Sequence, residues 1–226
     1  MIAALQPDGV ILTPPHSDNP LITDLLTKHE IPFARIGSSG NGGGIPLIMG
    51  DEGAARMATR YLIDLGHQRI GFITGPEDYA LSSWRTEGWC GEMKDAGLAN
   101  EALCVGGDFS YDSGLEAARQ LLNQSPRPTA ILASNDQMAM AAIEAAREID
   151  LSVPQDFSVV SFDNTPMARF NSPTLTAVDQ PIAETTSQAV ELIVAANKGE
   201  ELPAEPTIVP AKFIERESTA PPPDSV

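Results

Sequence analysis

Cysteine, histidine and basic residues are all scarce in this 226-residue sequence, and each scarcity removes a class of function. Two cysteines, Cys90 and Cys104, cannot build a disulfide framework, and their spacing fits no metal motif, so two reduced thiols are expected. Three histidines (His16, His29, His67) include no ligand-spaced pair, and no metal site or cofactor is expected. Lys and Arg number 14 against 31 Asp and Glu, a net charge of −17. A surface that acidic repels phosphate backbones and anionic membranes, so this chain alone is a poor nucleic-acid binder. No apolar run approaches the roughly 20 residues of a membrane-spanning helix. The start, Met1-Ile2-Ala3-Ala4-Leu5-Gln6-Pro7, lacks the basic and apolar regions of a signal peptide. The hydrolase patterns G-x-S-x-G and H-E-x-x-H and a Cys–His constellation are missing, so no enzyme is expected.

What is present is ordinary globular material, 42% hydrophobic and 20% charged, enough for one large domain or two small ones. Short apolar runs alternate with helix-period segments. Strands are expected at 9–13, 31–36, 69–73, 129–133, 158–162 and 207–214. Helices are expected at 20–29, 51–64, 83–96, 114–124, 136–149 and 182–196, with Asp51 as an N-cap and Gly66 and Gly97 as stops. The alternation predicts parallel sheets with helices on both faces, which bind ligands at the carboxyl ends of their strands. The glycine–serine loop at 37–44 follows a strand, but its spacing is not G-x-G-x-x-G and extended chain follows it; a flexible surface loop is expected. Residues 218–226, with Pro221-Pro222-Pro223, read as a disordered tail.

The strand ends carry the polar candidates. Ser134 and Asp136 suit a helix cap and first turn, whereas Asn135 is not needed for that and could grip a vicinal diol. Asp163-Asn164 suits either an Asx turn before Pro166 or a carboxylate accepting ligand hydroxyl protons. Arg85 falls in the first turn of its expected helix, on the wrong side of the helix dipole, which leaves a solvated Arg or a grip on a ligand oxygen. Trp84, Trp89 and Phe109 suit the core or a stacking platform.

An ordered set of longer motifs runs from Asp8 to about Arg216. It includes Asp8-Gly9-Val10-Ile11-Leu12, Leu65-Gly66-His67-Gln68-Arg69-Ile70-Gly71-Phe72-Ile73-Thr74-Gly75 and Arg85-Thr86-Glu87-Gly88-Trp89. Arg127-Pro128-Thr129-Ala130-Ile131, Ser134-Asn135-Asp136-Gln137-Met138-Ala139, Val153-Pro154-Gln155-Asp156-Phe157 with Ser158-Val159-Val160-Ser161-Phe162-Asp163, and Pro173-Thr174-Leu175-Thr176 with Ala177-Val178-Asp179-Gln180-Pro181 follow. The set resembles the effector-binding core of LacI/GalR-family transcriptional regulators.

The resemblance implies the α/β fold of periplasmic sugar-binding proteins: two doubly wound parallel-sheet subdomains joined by three crossovers, with the effector in the cleft between them. It implies subdomains at 1–49 plus 181–205 and at 50–180 plus 206–218, with 219–226 as the tail. It further implies ligand contacts from Arg85, Asn135, Asp163 and Gln180, and stacking by Phe109. Arg85→Ala or Asp163→Ala is then expected to abolish binding with little loss of stability, since both residues would sit at a wet cleft. Ser161 stands where the family usually has Gly, Asn164 where Asp is common, and Gly37 where some members carry an acidic ligand contact. The effector could be a sugar, a nucleobase or a phosphosugar. The family's DNA-binding headpiece and first β-α-β have no counterpart, so a fragment or an internal start is expected, with an incomplete first subdomain and operator DNA reached only through the missing headpiece. A cytoplasmic homodimeric sensor is the leading reading, and an exported solute-binding protein for a sugar transporter the alternative.

Overall fold

The computed structural model describes residues 7–38 and 42–223, and the chain divides into two compact units. The first comprises the chain through Gly50, residues 79–81 and residues 181–210; the second comprises residues 51–78, 82–180 and Ala211 onward.

The first unit is built on a parallel sheet of β1 (Val10–Leu12), β2 (Phe33–Ile36), β3 (Ile45–Ile48) and β9 (Thr207–Ile208), in that order. Helix α1 (Pro20–Lys28) is capped by the Asn19 side chain and stops at His29. It brings Leu26 onto Leu12 and Phe33, while α6 (Ile182–Asn197) lays Ala189 and Ile193 against Ala34, Ile36, Ile45 and Leu47 on the other face. Gly9 permits that fit, because a Cβ there would stand 2.2 Å from Ile193 Cγ2. The expected flexible loop at 37–44 is anchored where it begins. Gly37 N–H donates to the Leu47 carbonyl, and buried Ser38 donates to Asp18, which also pairs with buried Arg35. Residues 39–41 lie outside the described residues.

The second unit holds a six-stranded sheet ordered β10 (Lys212–Ile214), β8 (Thr176–Asp179), β7 (Ser158–Asp163), β6 (Ala130–Ala133), β4 (Ile70–Thr74) and β5 (Cys104–Gly106), all parallel except the antiparallel edge strand β10. Both faces are covered, so β6 is an unbroken apolar run and β7 is buried at five successive residues, with Ser161 its one polar interruption between Val160 and Phe162. On one face, α4 (Tyr111–Leu122) and α5 (Asp136–Arg147) bury Leu121, Ala139 and Ile143 over Ile131 and Val159. On the other, α2 (Asp51–Asp64) and α3 (Ala80–Asp95) bury Leu62 and Met93 beside Phe72, whose ring stacks on Trp89 at 5.7 Å. Trp89 is therefore core. Each fully buried side chain of this size contributes about 1.5–3 kcal/mol.

Two boundaries differ from the sequence reading. The expected single strand over 207–214 is two strands in two sheets, broken at Pro210, which lacks the N–H to continue a ladder; residues 206–210 consequently belong to the first unit. The expected tail is tied down through its described part. Ser218 exchanges hydrogen bonds with Val159, Thr219 meets the Tyr61 hydroxyl, and the Ala220 carbonyl meets Ser158 Oγ and His67 Nε2. Strand starts expose unpaired backbone groups, and an extended segment with free carbonyls and hydroxyls can satisfy them without a helix. Residues 224–226 lie outside the described residues.

Candidate functional site

The carboxyl ends of β6, β7 and β8 lie side by side in the second sheet, with Asp163 in register with Asp179. Ser134, Asn135, Asp163 and Gln180 therefore emerge at one edge, as open α/β sheets require of a ligand site. Arg85 reaches the same edge from α3. It lies in the second turn rather than the first, because the helix opens at Ala80, so the expected conflict with the helix dipole disappears.

Arg85 is also not solvated. Only 3% of it is exposed. Its Nε donates to Asp51 Oδ1 at 2.8 Å, Nη1 donates to the Ser134 carbonyl at 2.6 Å, and the guanidinium lies 4.4 Å over the Phe162 ring. Gln180 Nε2 donates to the same Asp51 oxygen at 3.2 Å. Asp51 is not the helix cap that its position suggested but the first residue of α2, and its Oδ1 orients two of the predicted contacts instead of a backbone N–H, a role that nothing local in the sequence signals. The Gly88 of the Arg-x-x-Gly motif explains how Arg85 gets there. A Cβ on Gly88 would stand 2.3 Å from the Glu52 carbonyl oxygen and 2.8 Å from Ala55 Cβ, so its absence lets α3 close onto α2 and brings Arg85 to Asp51. We expect Gly88→Ala to force the helices apart, at a cost of about 1–3 kcal/mol. Thermal denaturation checks this, and an unchanged Tm would contradict it.

Asn135, rather than Ser134, is the N-cap of α5. Its Oδ1 accepts from Met138 N–H at 2.8 Å, and its Nδ2 donates to the Phe109 carbonyl at 2.7 Å. The residue set aside as free of structural duty thus caps a helix and fixes the Phe109 loop. Phe109 itself has φ +70°, a left-handed conformation unusual for an aromatic residue. Its ring presses on Gly75, where a Cβ would stand 2.2 Å from Cζ.

Asp136 accepts from Ser161 Oγ, Thr165 N–H and Thr165 Oγ1, each at 2.7 Å, which accounts for the departure from Gly at 161. Asp163 (φ +91°) and Asn164 (φ +56°) are both left-handed, a strain of about 1–3 kcal/mol each that clusters at functional sites. Asn164 bridges Asp179 and Arg216, so it holds the strand ends in place. Asp163 is partly buried, and burial raises its carboxyl from 3.8 to about 6; Arg85 opposes this, while Asp136 and Asp51 add to it. Three buried polar atoms at this edge have no partner among the described residues: Asp51 Oδ2, Ser134 Oγ and Gln180 Oε1. Such atoms are costly to leave unmade, and a ligand could satisfy them.

A strained carboxylate, a guanidinium held in place, a carboxamide and an aromatic side chain around one sheet edge describe a binding module for a small polar molecule. The model of the periplasmic binding protein-like domain family matches residues 59–219. The HTH-type transcriptional regulator CelR of Thermobifida fusca is 34% identical over 210 residues, covering 88% of this chain and 59% of CelR. Among solved structures, a transcriptional regulator CelR–cellobiose complex matches with TM-score 0.88 and 32% identity over 96% of this chain and 67% of that one. A regulatory protein of the LacI family from Chloroflexus aggregans matches with the same TM-score and identity, over 96% and 79%. The chain belongs to the LacI family of regulators and carries its periplasmic binding protein-like, effector-binding core. It spans less than two thirds of the length of CelR.

Proposed function

We propose that this chain is the sensor part of a LacI-type, DNA-binding transcriptional regulator and that it binds a small, sugar-like effector at the strand ends of the second unit. Arg85, Asp163 and Gln180 contact the effector's hydroxyls, Asn135 contributes its remaining hydrogen-bonding capacity, and Phe109 stacks on a C–H face. The observation that carries this reading is Arg85, buried and fixed by Asp51 and the Ser134 carbonyl beside a strained Asp163. The similarity to a regulator solved with cellobiose supports a sugar in particular. In this reading the protein acts as a cytoplasmic homodimer. The effector shifts the balance between two conformations, and that shift controls operator binding through a basic headpiece outside this acidic chain. The transporter alternative is not favoured, since the matched relatives described above are regulators.

A thermal-shift screen of neutral mono- and disaccharides tests the reading. A saturating sugar at 100 times its Kd should add about 2.7 kcal/mol of stability and raise Tm with concentration. No shift with any sugar would overturn it.

A further inference from the structure

The sequence left the charge of the effector open, and the structure narrows it. Arg85, the cation closest to hand for an anionic ligand, already has a counter-ion: Asp51, whose side chain is fully buried, sits 2.8 Å from its Nε. Arg216 donates to two neutral acceptors, the Leu175 carbonyl and Asn164 Oδ1, rather than to a counter-ion. Against these cations stand the carboxylates of Asp51, Asp136, Asp163 and Asp179. Of these, Asp136 takes three hydrogen bonds and Asp179 takes one from Asn164. Asp51 Oδ2 and Gln180 Oε1 remain buried and unpartnered among the described residues, and both are acceptors. The edge is therefore rich in acceptors, with four carboxylates set against Arg85, Arg216 and the exposed Arg169 that lies near Arg216, and with the Arg85 charge offset by Asp51.

We propose that Asp51 is the residue that sets the charge class of the effector: by neutralising Arg85 it makes the site select donor-rich ligands, neutral polyols or amino sugars, and refuse phosphorylated sugars. The inference rests on the sugar-sensing reading and adds the class of ligand and the residue responsible. The physics is direct. Hydroxyl and ammonium groups donate to orphaned acceptors, whereas a phosphate brings only acceptors and two negative charges into a site whose carboxylates repel it. Discrimination then comes from repulsion of the wrong ligand as much as from contacts to the right one.

The test is calorimetry on the full chain with matched pairs, ribose against ribose 5-phosphate and glucose against glucose 6-phosphate, with glucosamine and cellobiose included. At least one neutral or amino sugar should bind, with any phosphorylated partner at least 100-fold weaker. Asp51→Asn, which keeps the shape and the acceptor to Arg85 but removes the charge, should narrow that ratio at least tenfold. A phosphorylated sugar binding as tightly as its neutral parent would overturn the inference and leave the sensing reading standing. So would an unchanged ratio in a folded Asp51→Asn; if that variant does not fold, the wild-type ratio decides alone. Binding by no member of the panel would overturn the sensing reading and the inference with it.

Discussion

Arg85→Ala is expected to unfold the second unit at a markedly lower temperature as well as to abolish effector binding. The sequence placed Arg85 at a wet cleft, where truncation would cost little. In the structure it is 3% exposed, and Asp51 beside it is 1% exposed. Removing the guanidinium leaves the Asp51 carboxylate buried without its counter-ion and strips partners from the Ser134 carbonyl and the Phe162 ring. Breaking a buried pair from one side costs about 3–5 kcal/mol. At roughly 2–4 °C per kcal/mol for a chain of this size, Tm should fall by about 6–20 °C. Differential scanning calorimetry checks this, and a Tm within about 2 °C of wild type would show that the pair is not formed. Lost binding in this variant alone therefore says little about contact with the ligand.

Asp163→Asn separates the two roles in the opposite direction. Burial holds the Asp163 carboxyl at about 6 in the folded protein against 3.8 in the unfolded chain. The charged form is thus disfavoured by folding. Its destabilisation is absent below about pH 3.8, grows as pH rises, and is complete above about pH 6. A rise of roughly two pH units corresponds to at most about 3 kcal/mol. Asparagine keeps the shape, removes the charge and tolerates the left-handed backbone at φ +91°. The variant should therefore be more stable than wild type at pH 7.5, with the gain vanishing toward pH 4, while effector affinity falls at least 100-fold. Thermal melts across that pH range check the first part; a gain that persists undiminished at pH 4 would exclude the charge as its cause.

Several of these features were legible in the sequence, for identifiable reasons. Strands buried on both faces spell continuous apolar runs, so the cores of β4, β6 and β7 stood out. Polar residues directly after such runs point to Asn135 and Asp163 without reference to any family, because the strand-end rule depends only on local order. What stayed hidden was non-local. Asp51 opens a helix, where an acidic residue explains itself, and only the approach of α3 reveals its second use. The capping role of Asn135 is hidden because either Ser134 or Asn135 suits the cap of α5 by residue type, and the choice depends on where the helix begins. The division of residues 207–214 between two sheets, and the anchoring of residues 218–220, depend on partners up to about 160 residues away in the chain.

Effector binding at the strand ends is tested most directly by isothermal titration calorimetry of wild type and Asp163→Asn with the sugar that gives the largest thermal shift. The variant is the informative one because its fold should be at least as stable as wild type at neutral pH. Wild type should bind saturably, and a fully folded Asp163→Asn should lose at least 100-fold in affinity. Equal affinity in the two proteins would contradict this, because the effector would then bind away from the strand ends where Arg85 and Asp163 stand.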